Sequence, residues 1–357
     1  MKIITSVKII QLFVLYLFVL SLTACNSDNS TTPSKKATVQ IYVANEDDGT
    51  VSVIDGTDNK ITATIEITPP GEAMQMAHNV QVAPNGKSVW VTGVPMTDGA
   101  MEYLIVIDPL TNKVIKHIQA GTMLHLAHVV FDSASNYTFV TCNESGKILQ
   151  YDANTYSLIK IFDLKSDSKP HGLRYSNGKL FVANMGSKSM SVLDVVSGQN
   201  TEIMMGGVAV QTAVTPDGKF AFVSLYDTKE VVRFELQSGI ITRIALPDRS
   251  QGPTQMYPSP DGKFLYICDQ GNVLGQPSSN KVFVLDNSTL QISSTISVGN
   301  AAHGVVISKD GKSTYITNSS DNSVSVIEIA SNTVKATISV GKKPNGISYW
   351  YETGGMP

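Results

Sequence analysis

The chain has 357 residues, with 27 Lys+Arg against 30 Asp+Glu and a formal net charge of −3. Charged residues are 16% and hydrophobic residues 42% of the total. This excludes a largely disordered chain and a basic nucleic-acid arm, and it suits an all-β protein better than a surface-rich helical one.

Residues 1–24 read as an address. Lys2 and Lys8 give a basic start, Ile9 to Leu22 is almost wholly apolar, and Leu22-Thr23-Ala24-Cys25 follows. The run is short for a membrane span and a polar segment follows at once. The tetrapeptide resembles the lipobox of bacterial lipoproteins. That resemblance implies a lipidated Cys25 as mature N-terminus and, with Asn26 next, outer-membrane sorting in a Gram-negative cell. Loss of residues 1–24 removes two Lys and leaves 25 basic and 30 acidic residues, a net charge of −5. Residues 25–37 are polar without apolar period and read as a flexible tether.

From residue 38 to 351 one pattern repeats. An aromatic, a β-branched residue, a small residue and often Asn recur as Tyr42 to Asn45, Trp90 to Gly93, Phe139 to Cys142, Phe181 to Asn184, Phe222 to Leu225, Tyr266 to Asp269 and Tyr315 to Asn318. Tight turns precede most copies, at Asn85-Gly86, Asn177-Gly178, Asp217-Gly218, Asp261-Gly262 and Asp310-Gly311; such dipeptides suit two-residue hairpins with positive φ. Alternating strands follow each copy, as in Val51 to Asp55 and Leu104 to Asp108. Units of 41 to 49 residues, each of four antiparallel strands A to D, predict an all-β, seven-bladed β-propeller. The first strand is a B and the last, Asn345 to Trp350, is an A, so the C-terminal strand is expected to complete the first blade. Residues 352–357 form a C-terminal tail.

Strand A is the innermost strand of a propeller blade. The seven residues that open the A strands are His78, His128, His171, Gln211, Gln255, His303 and Asn345. All are polar, and four of the six His of the chain are among them. They are expected to form a ring at the channel mouth where the D–A loops lie. The B-strand ends Asn45, Cys142, Asn184, Asp269 and Asn318 are expected nearby, with Asp269 the only carboxylate close to the ring. His125 is placed to support a site there, and His117 falls outside the ring in a D strand. Imidazole binds Cu, Zn, Fe or Ni, which makes His78, His128, His171 and His303 candidate metal ligands, with Cys142 as a possible addition. Cys268 faces the opposite side of its sheet on a nearly opposite blade, so no Cys142–Cys268 disulfide is expected. Eight of the eleven non-initiator Met fall in D–A segments (Met74, Met76, Met123, Met204, Met205) or B–C loops (Met96, Met101, Met185). Met there suits Cu(I), haem iron or adaptable apolar contact. Two long B–C loops, 94–102 and 270–280, are candidate lids.

The repeat resembles the YVTN family of β-propellers, the YncE-like group among them. The architecture also looks like the propellers of nitrous oxide reductase and the cytochrome d1 group, a resemblance that implies copper or haem at this mouth. The four Arg are few for clamping haem carboxylates, and there is no CxxCH. The resulting expectation is a monomeric, lipid-anchored, extracytoplasmic propeller in the cell envelope, facing the periplasm in a Gram-negative cell. It would bind a protein or small-molecule ligand at its His/Met-rich mouth rather than catalyse a reaction. The alternative is a copper- or haem-binding, maturation or metalloenzyme role on the axial His ring. A lactonase-like enzyme and a single-stranded DNA binder are weaker readings, the latter opposed by the net charge of −5.

Overall fold

A computed structural model of the protein describes residues 39–351 and 354–355. The signal peptide, the lipidated Cys25 and the tether expected from the sequence lie outside the described residues. So does the C-terminal tail apart from Gly354–Gly355, which pairs with Trp350 and Tyr351.

Seven antiparallel sheets are present, one per repeat. The A strands are Gln75–Val82, Leu126–Phe131, Pro170–Ser176, Ala209–Val214, Pro253–Pro258, Ala302–Ile307 and Pro344–Tyr351, in blades two to seven and then blade one. The matching B strands begin with Val39–Asn45 in blade one and end with Ser313–Asn318 in blade seven. Blade one closes as expected: Val39 pairs with Tyr351 and Val43 with Ile347. Closure removes the long open edge that a seven-sheet array would otherwise expose. The alternating strands bury side chains on both faces, so the core is a set of apolar clusters between neighbouring blades. Trp90, Leu104, Val129 and Val140 fill the space between blades two and three. The buried Trp350 indole of blade one donates to the Gly86 carbonyl of blade two at 2.8 Å, which ties the closing strand to the next blade.

The turns depart in part from expectation. Only Asn177-Gly178 is the two-residue hairpin with both residues at positive φ, flanked by the Ser176–Lys179 pair. Elsewhere, as at 215–220, Thr215 N–H bonds Phe220 C=O and four residues intervene, with positive φ at Gly218 alone. The physical reason is side-chain capping: the Asp217 carboxylate accepts from the Thr215 hydroxyl (2.7 Å) and from Lys219 N–H (3.1 Å). This stabilises the wider turn, and Ser259-Asp261 and Ser308-Asp310 repeat it.

One irregularity recurs in all seven blades. The ladder between A and B slips beside the residue that opens strand A: between Ala77 and Asn79, Leu126 and Val129, Pro170 and Leu173, Ala209 and Gln211, Pro253 and Met256, Ala302 and Val305, and opposite Asn45 at Pro344 to Ile347. A bulge leaves a backbone N–H without its ladder partner and re-aims a side chain. In four blades a hydroxyl from the third position of the repeated motif takes up that N–H: Thr92 for Asn79, Thr141 for His128, Ser224 for Gln211 and Thr317 for Gly304. Thr92, Thr141 and Thr317 then donate to the A strand of the following blade, at Ala127, His171 and Asn345 carbonyls. Cys268 holds the same motif position, and its thiol reaches the Gly304 carbonyl at 3.7 Å. Both described thiols are free, as expected. Replacing Thr141 by Val should therefore leave a buried N–H and a buried C=O unpaired and destabilise the protein by about 1–3 kcal/mol. Thr141→Ser should stay near the parent. Equilibrium urea unfolding measures both, and equal stability of Val and parent would dismiss the bridging role.

Candidate functional site

The bulges aim the ring residues of blades two, three and four toward one another. His78, His128 and His171 each offer a ring nitrogen, and these atoms lie within 4.8 Å of one another. The rings meet edge to face, with centroids 4.8 Å apart for His128–His171, 5.7 Å for His78–His171 and 6.0 Å for His78–His128. Gly172 allows the close approach, because a Cβ there would lie 2.0 Å from Gln211 Oε1 of the next blade.

Each imidazole is held through Nδ1. His171 Nδ1 lies 3.0 Å from the Val210 carbonyl, which makes it the protonated nitrogen and leaves Nε2 with a lone pair. His128 Nδ1 sits 3.5 Å from Gln211 Nε2. His78 Nδ1 faces Asn345 Nδ2 at 3.4 Å and the Glu46 carboxylate at 3.8 Å. His78 Nε2 is buried with no partner among the described residues. His125, at positive φ in the preceding loop, stands beside the cluster, with its ring centroid 5.8 Å from that of His78. His117, also as expected, lies away from the ring in strand D, where it contacts the Ile67 carbonyl.

The rest of the expected ligand set lies outside this group. His303 Nδ1 is engaged by Gln270 Oε1 at 2.8 Å. Gln255 is buried with its Nε2 unpaired among the described residues. Cys142 packs in the apolar cluster between blades two and three, beside Trp90 and Tyr151, because its position at the end of strand B turns it toward the sheet interface. Burial pushes its thiol up to about 12. Asn45, Asn184 and Asn318 do not line the mouth either. Each donates to two hydroxyls of its own strand C, Thr50 and Ser52, Ser189 and Ser191, or Ser323 and Ser325. Asp269 is consumed in the same way: it accepts from Ser250 Oγ and from the N–H groups of Gln251 and Gly252.

Two carboxylates escaped the sequence reading. Glu46, one residue past the first motif, reaches the ring and accepts from Asn345 Nδ2 at 2.7 Å. Glu102, at the start of a C strand, gathers the N–H groups of Leu124, His125 and Leu126 at 2.7–2.8 Å and so fixes the loop that carries His125 and His128. The Met residues do not converge. Met74, Met96, Met123 and Met204 are exposed, whereas Met205 is buried in the cluster between blades four and five. The 270–280 segment extends strands B and C of blade six, and its tip is pinned by the Tyr226 hydroxyl between Val273 N–H and C=O at 3.0 Å each. It is a braced hairpin rather than a free lid. In the 94–102 segment, strand B continues to Pro95 opposite Gln75, and Gln75 Nε2 holds the Met101 carbonyl.

Burial, reinforced by the neighbouring imidazoles, pushes His128 well below the ordinary histidine range, His171 to about 3 and His303 to about 4, and lowers His125 as well. Burial pushes Glu46 up, but the hydrogen bond and charge of His78, with Lys343 and Asn345, outweigh it and hold the carboxylate well below its usual range. The mouth at neutral pH is thus several neutral imidazoles beside one carboxylate. The unfolded chain takes up protons on His171 and His303 below about pH 6.5, while the folded one does not until about 3–4. Stability must therefore fall as pH drops through that window, by up to about 1.4 kcal/mol per pH unit for each such histidine. Glu46 adds its loss only below the ordinary carboxylate pKa, so the range pH 5–6.5 isolates the histidines. The thermal midpoint should drop by several degrees from pH 7 to pH 5, and His171→Gln should flatten the slope. A midpoint constant over that range would contradict the neutral cluster.

Comparison with known proteins places this geometry in context. The YncE-like β-propeller family matches residues 18–352. The uncharacterized protein YncE of Salmonella typhimurium is 26% identical over 151 residues, 42% of this chain. The match spans only 39% of that protein's length. Among solved structures, Kuenenia stuttgartiensis hydrazine synthase superposes with a TM-score of 0.69 at 21% identity, covering 82% of this chain and 92% of that one. The dihydro-heme d1 dehydrogenase NirN superposes with a TM-score of 0.59 at 14% identity, covering 88% and 75%. These two likenesses concern the fold. The family match extends over nearly the whole chain and includes all seven blades and the closing strand: the protein belongs to the YncE-like β-propeller family.

Proposed function

We propose that this propeller is a metal-binding protein of the cell envelope, holding a borderline transition-metal ion, Cu(II) or Zn(II), on His78, His128 and His171 at the mouth of its channel. The observation that carries the reading is the convergence of three imidazole nitrogens within 4.8 Å. Metal–nitrogen distances of about 2.0–2.1 Å require nitrogens roughly 3.4 Å apart around a tetrahedral ion. Closing that gap requires the rings to turn toward the ion. The chemistry of the donors fits: burial keeps His128 and His171 neutral, His171 presents a lone pair on Nε2, and His78 Nε2 has no other partner among the described residues. The Val210 carbonyl beside His171 Nδ1 and the Glu46 carboxylate beside His78 Nδ1 are acceptors of the kind that orient metal-bound imidazoles. Three protein ligands leave a coordination position open for water or a small ligand. Cys142 and His303 are not in this ligand set.

A haem at this mouth is less well supported. Although NirN, which shares the fold, is a dihydro-heme d1 dehydrogenase, two of the four Arg here are far from the role of propionate clamp. Arg243 pairs with Glu230, and Arg174 sits lower in the channel. A lactonase-like site is likewise weakened, because Asp269 and Glu102 are saturated by loop N–H groups.

The metal reading is tested by calorimetry on metal-free protein titrated with Zn(II) or Cu(II). One ion should bind per chain, and the His128→Ala/His171→Ala double variant should bind at least about a hundredfold more weakly. Unaltered binding in that variant would remove these residues from the site. The envelope anchor is proposed from residues 1–25. Cys25→Ala should move the protein from the membrane fraction to the soluble fraction when it is expressed in a Gram-negative host. Equal membrane recovery of variant and parent would contradict lipidation at Cys25.

A further inference from the structure

The far end of the channel carries a second, chemically different cluster of side chains around a cavity. Arg174 follows His171 by three residues on the same A strand, about 10 Å further along at the rise of a β-strand. There a cavity of about 440 Å³ opens between the A–B turns of blades three to seven and the closing strand. Its walls include Tyr175, Tyr257, Tyr351 and Pro216, and its cations are Arg174 and Lys309. Arg174 donates to its neighbour's carbonyl, Leu173, at 2.8 Å. No acidic side chain among the described residues forms an ion pair with it. Asp217, the one acid in the wall, is already bound to the Thr215 hydroxyl and paired with Lys219. Lys309 lies over the Tyr351 ring at 4.0 Å, which poises an ammonium at the lip. Tyr257 is pushed up by burial and remains a neutral hydroxyl donor.

A guanidinium partly withdrawn from water without a carboxylate is costly, and its pKa is lowered here by that desolvation. A ligand that brings the missing negative charge recovers the cost. Tyrosine and proline walls add a preference for a flat apolar body, and the volume lies within the usual range of small-molecule sites. The geometry points to a binding site for a small organic carboxylate with an aromatic or otherwise planar body, its carboxylate on Arg174 and Tyr257 and its ring among the tyrosines. This site lies about 10 Å along the channel from the His cluster and shares no lining residue with it.

Calorimetry with 2-naphthoate as the probe tests it on the propeller as it exists. Saturable binding at one site is expected, with the neutral isostere 2-naphthalenemethanol and the Arg174→Met variant each weaker by at least about tenfold, the loss of one charge-assisted contact. Arg174→Lys should recover part of the affinity. His128→Ala/His171→Ala should leave it unchanged, which separates this site from the metal site. Absence of saturable naphthoate binding, equal affinity for the alcohol, or undiminished affinity in Arg174→Met would overturn the assignment. So would inorganic phosphate competing as well as naphthoate, since the planar body would then play no part. Should Arg174→Met not unfold cooperatively, Lys309→Gln at the exposed lip replaces it, with an expected loss of about threefold and undiminished affinity again counting against the site.

Discussion

Everything specific to this propeller depends on a bulge at the start of each innermost strand. A regular strand would alternate its side chains between the two faces of its sheet and send none into the channel axis. Slippage of the A–B ladder frees one backbone N–H and turns the adjacent side chain inward. The bulge persists because a hydroxyl on strand B, as at Thr92, Thr141 and Thr317, takes up the freed N–H and passes a hydrogen bond to the next blade. One side chain therefore fixes the local distortion, the spacing of neighbouring blades and the aim of the ring residue. Ala44 and Ala183 occupy the same motif position without a hydroxyl, so the bulges of blades one and four rest on other contacts.

The His cluster follows from that scaffold. Three imidazoles in contact, largely out of water, repel one another when protonated, and burial disfavours the charged form further. Burial holds His128 and His171 neutral, and the Val210 carbonyl, Gln211 and Glu46 orient the three rings. A purely structural channel would gain more from apolar side chains, which need neither desolvation nor orientation. The arrangement costs stability in acid and leaves a buried lone nitrogen on His78. Both features are what a resting metal site displays, which is why the proposed function rests on this cluster rather than on the fold.

Much of this was legible in the sequence because the repeat is strict. The phase of seven aromatic–β-branched–small copies placed the A strands, and the A strands placed the ring. The closing strand was readable from a first blade lacking A and a last segment lacking B. What escaped lies where side-chain bonding, not period, decides direction. Asn45, Asn184 and Asn318 each have hydroxyl residues five and seven positions later, Thr50 and Ser52, Ser189 and Ser191, Ser323 and Ser325. That spacing turns them into their own blades, and it is visible once sought. Cys142 ends its strand facing the sheet interface, where periodicity alone assigned it to the mouth. Glu46 stands outside the repeated motif and reaches His78 only because the closing strand brings Asn345 beside it, a contact between residues nearly three hundred positions apart that no local pattern encodes. The Met residues shared loops but not a direction.

The two ends of the channel thus differ in chemistry: neutral nitrogen donors with one carboxylate at the D–A mouth, and unpaired cationic groups among tyrosines at the other. The sharpest test concerns the first. Crystals of the metal-free protein soaked with Zn(II) and measured at the zinc absorption edge should give one anomalous peak about 2.0–2.2 Å from Nε2 of His78, His128 and His171. A peak held by other residues, or none at that mouth, would contradict the central claim.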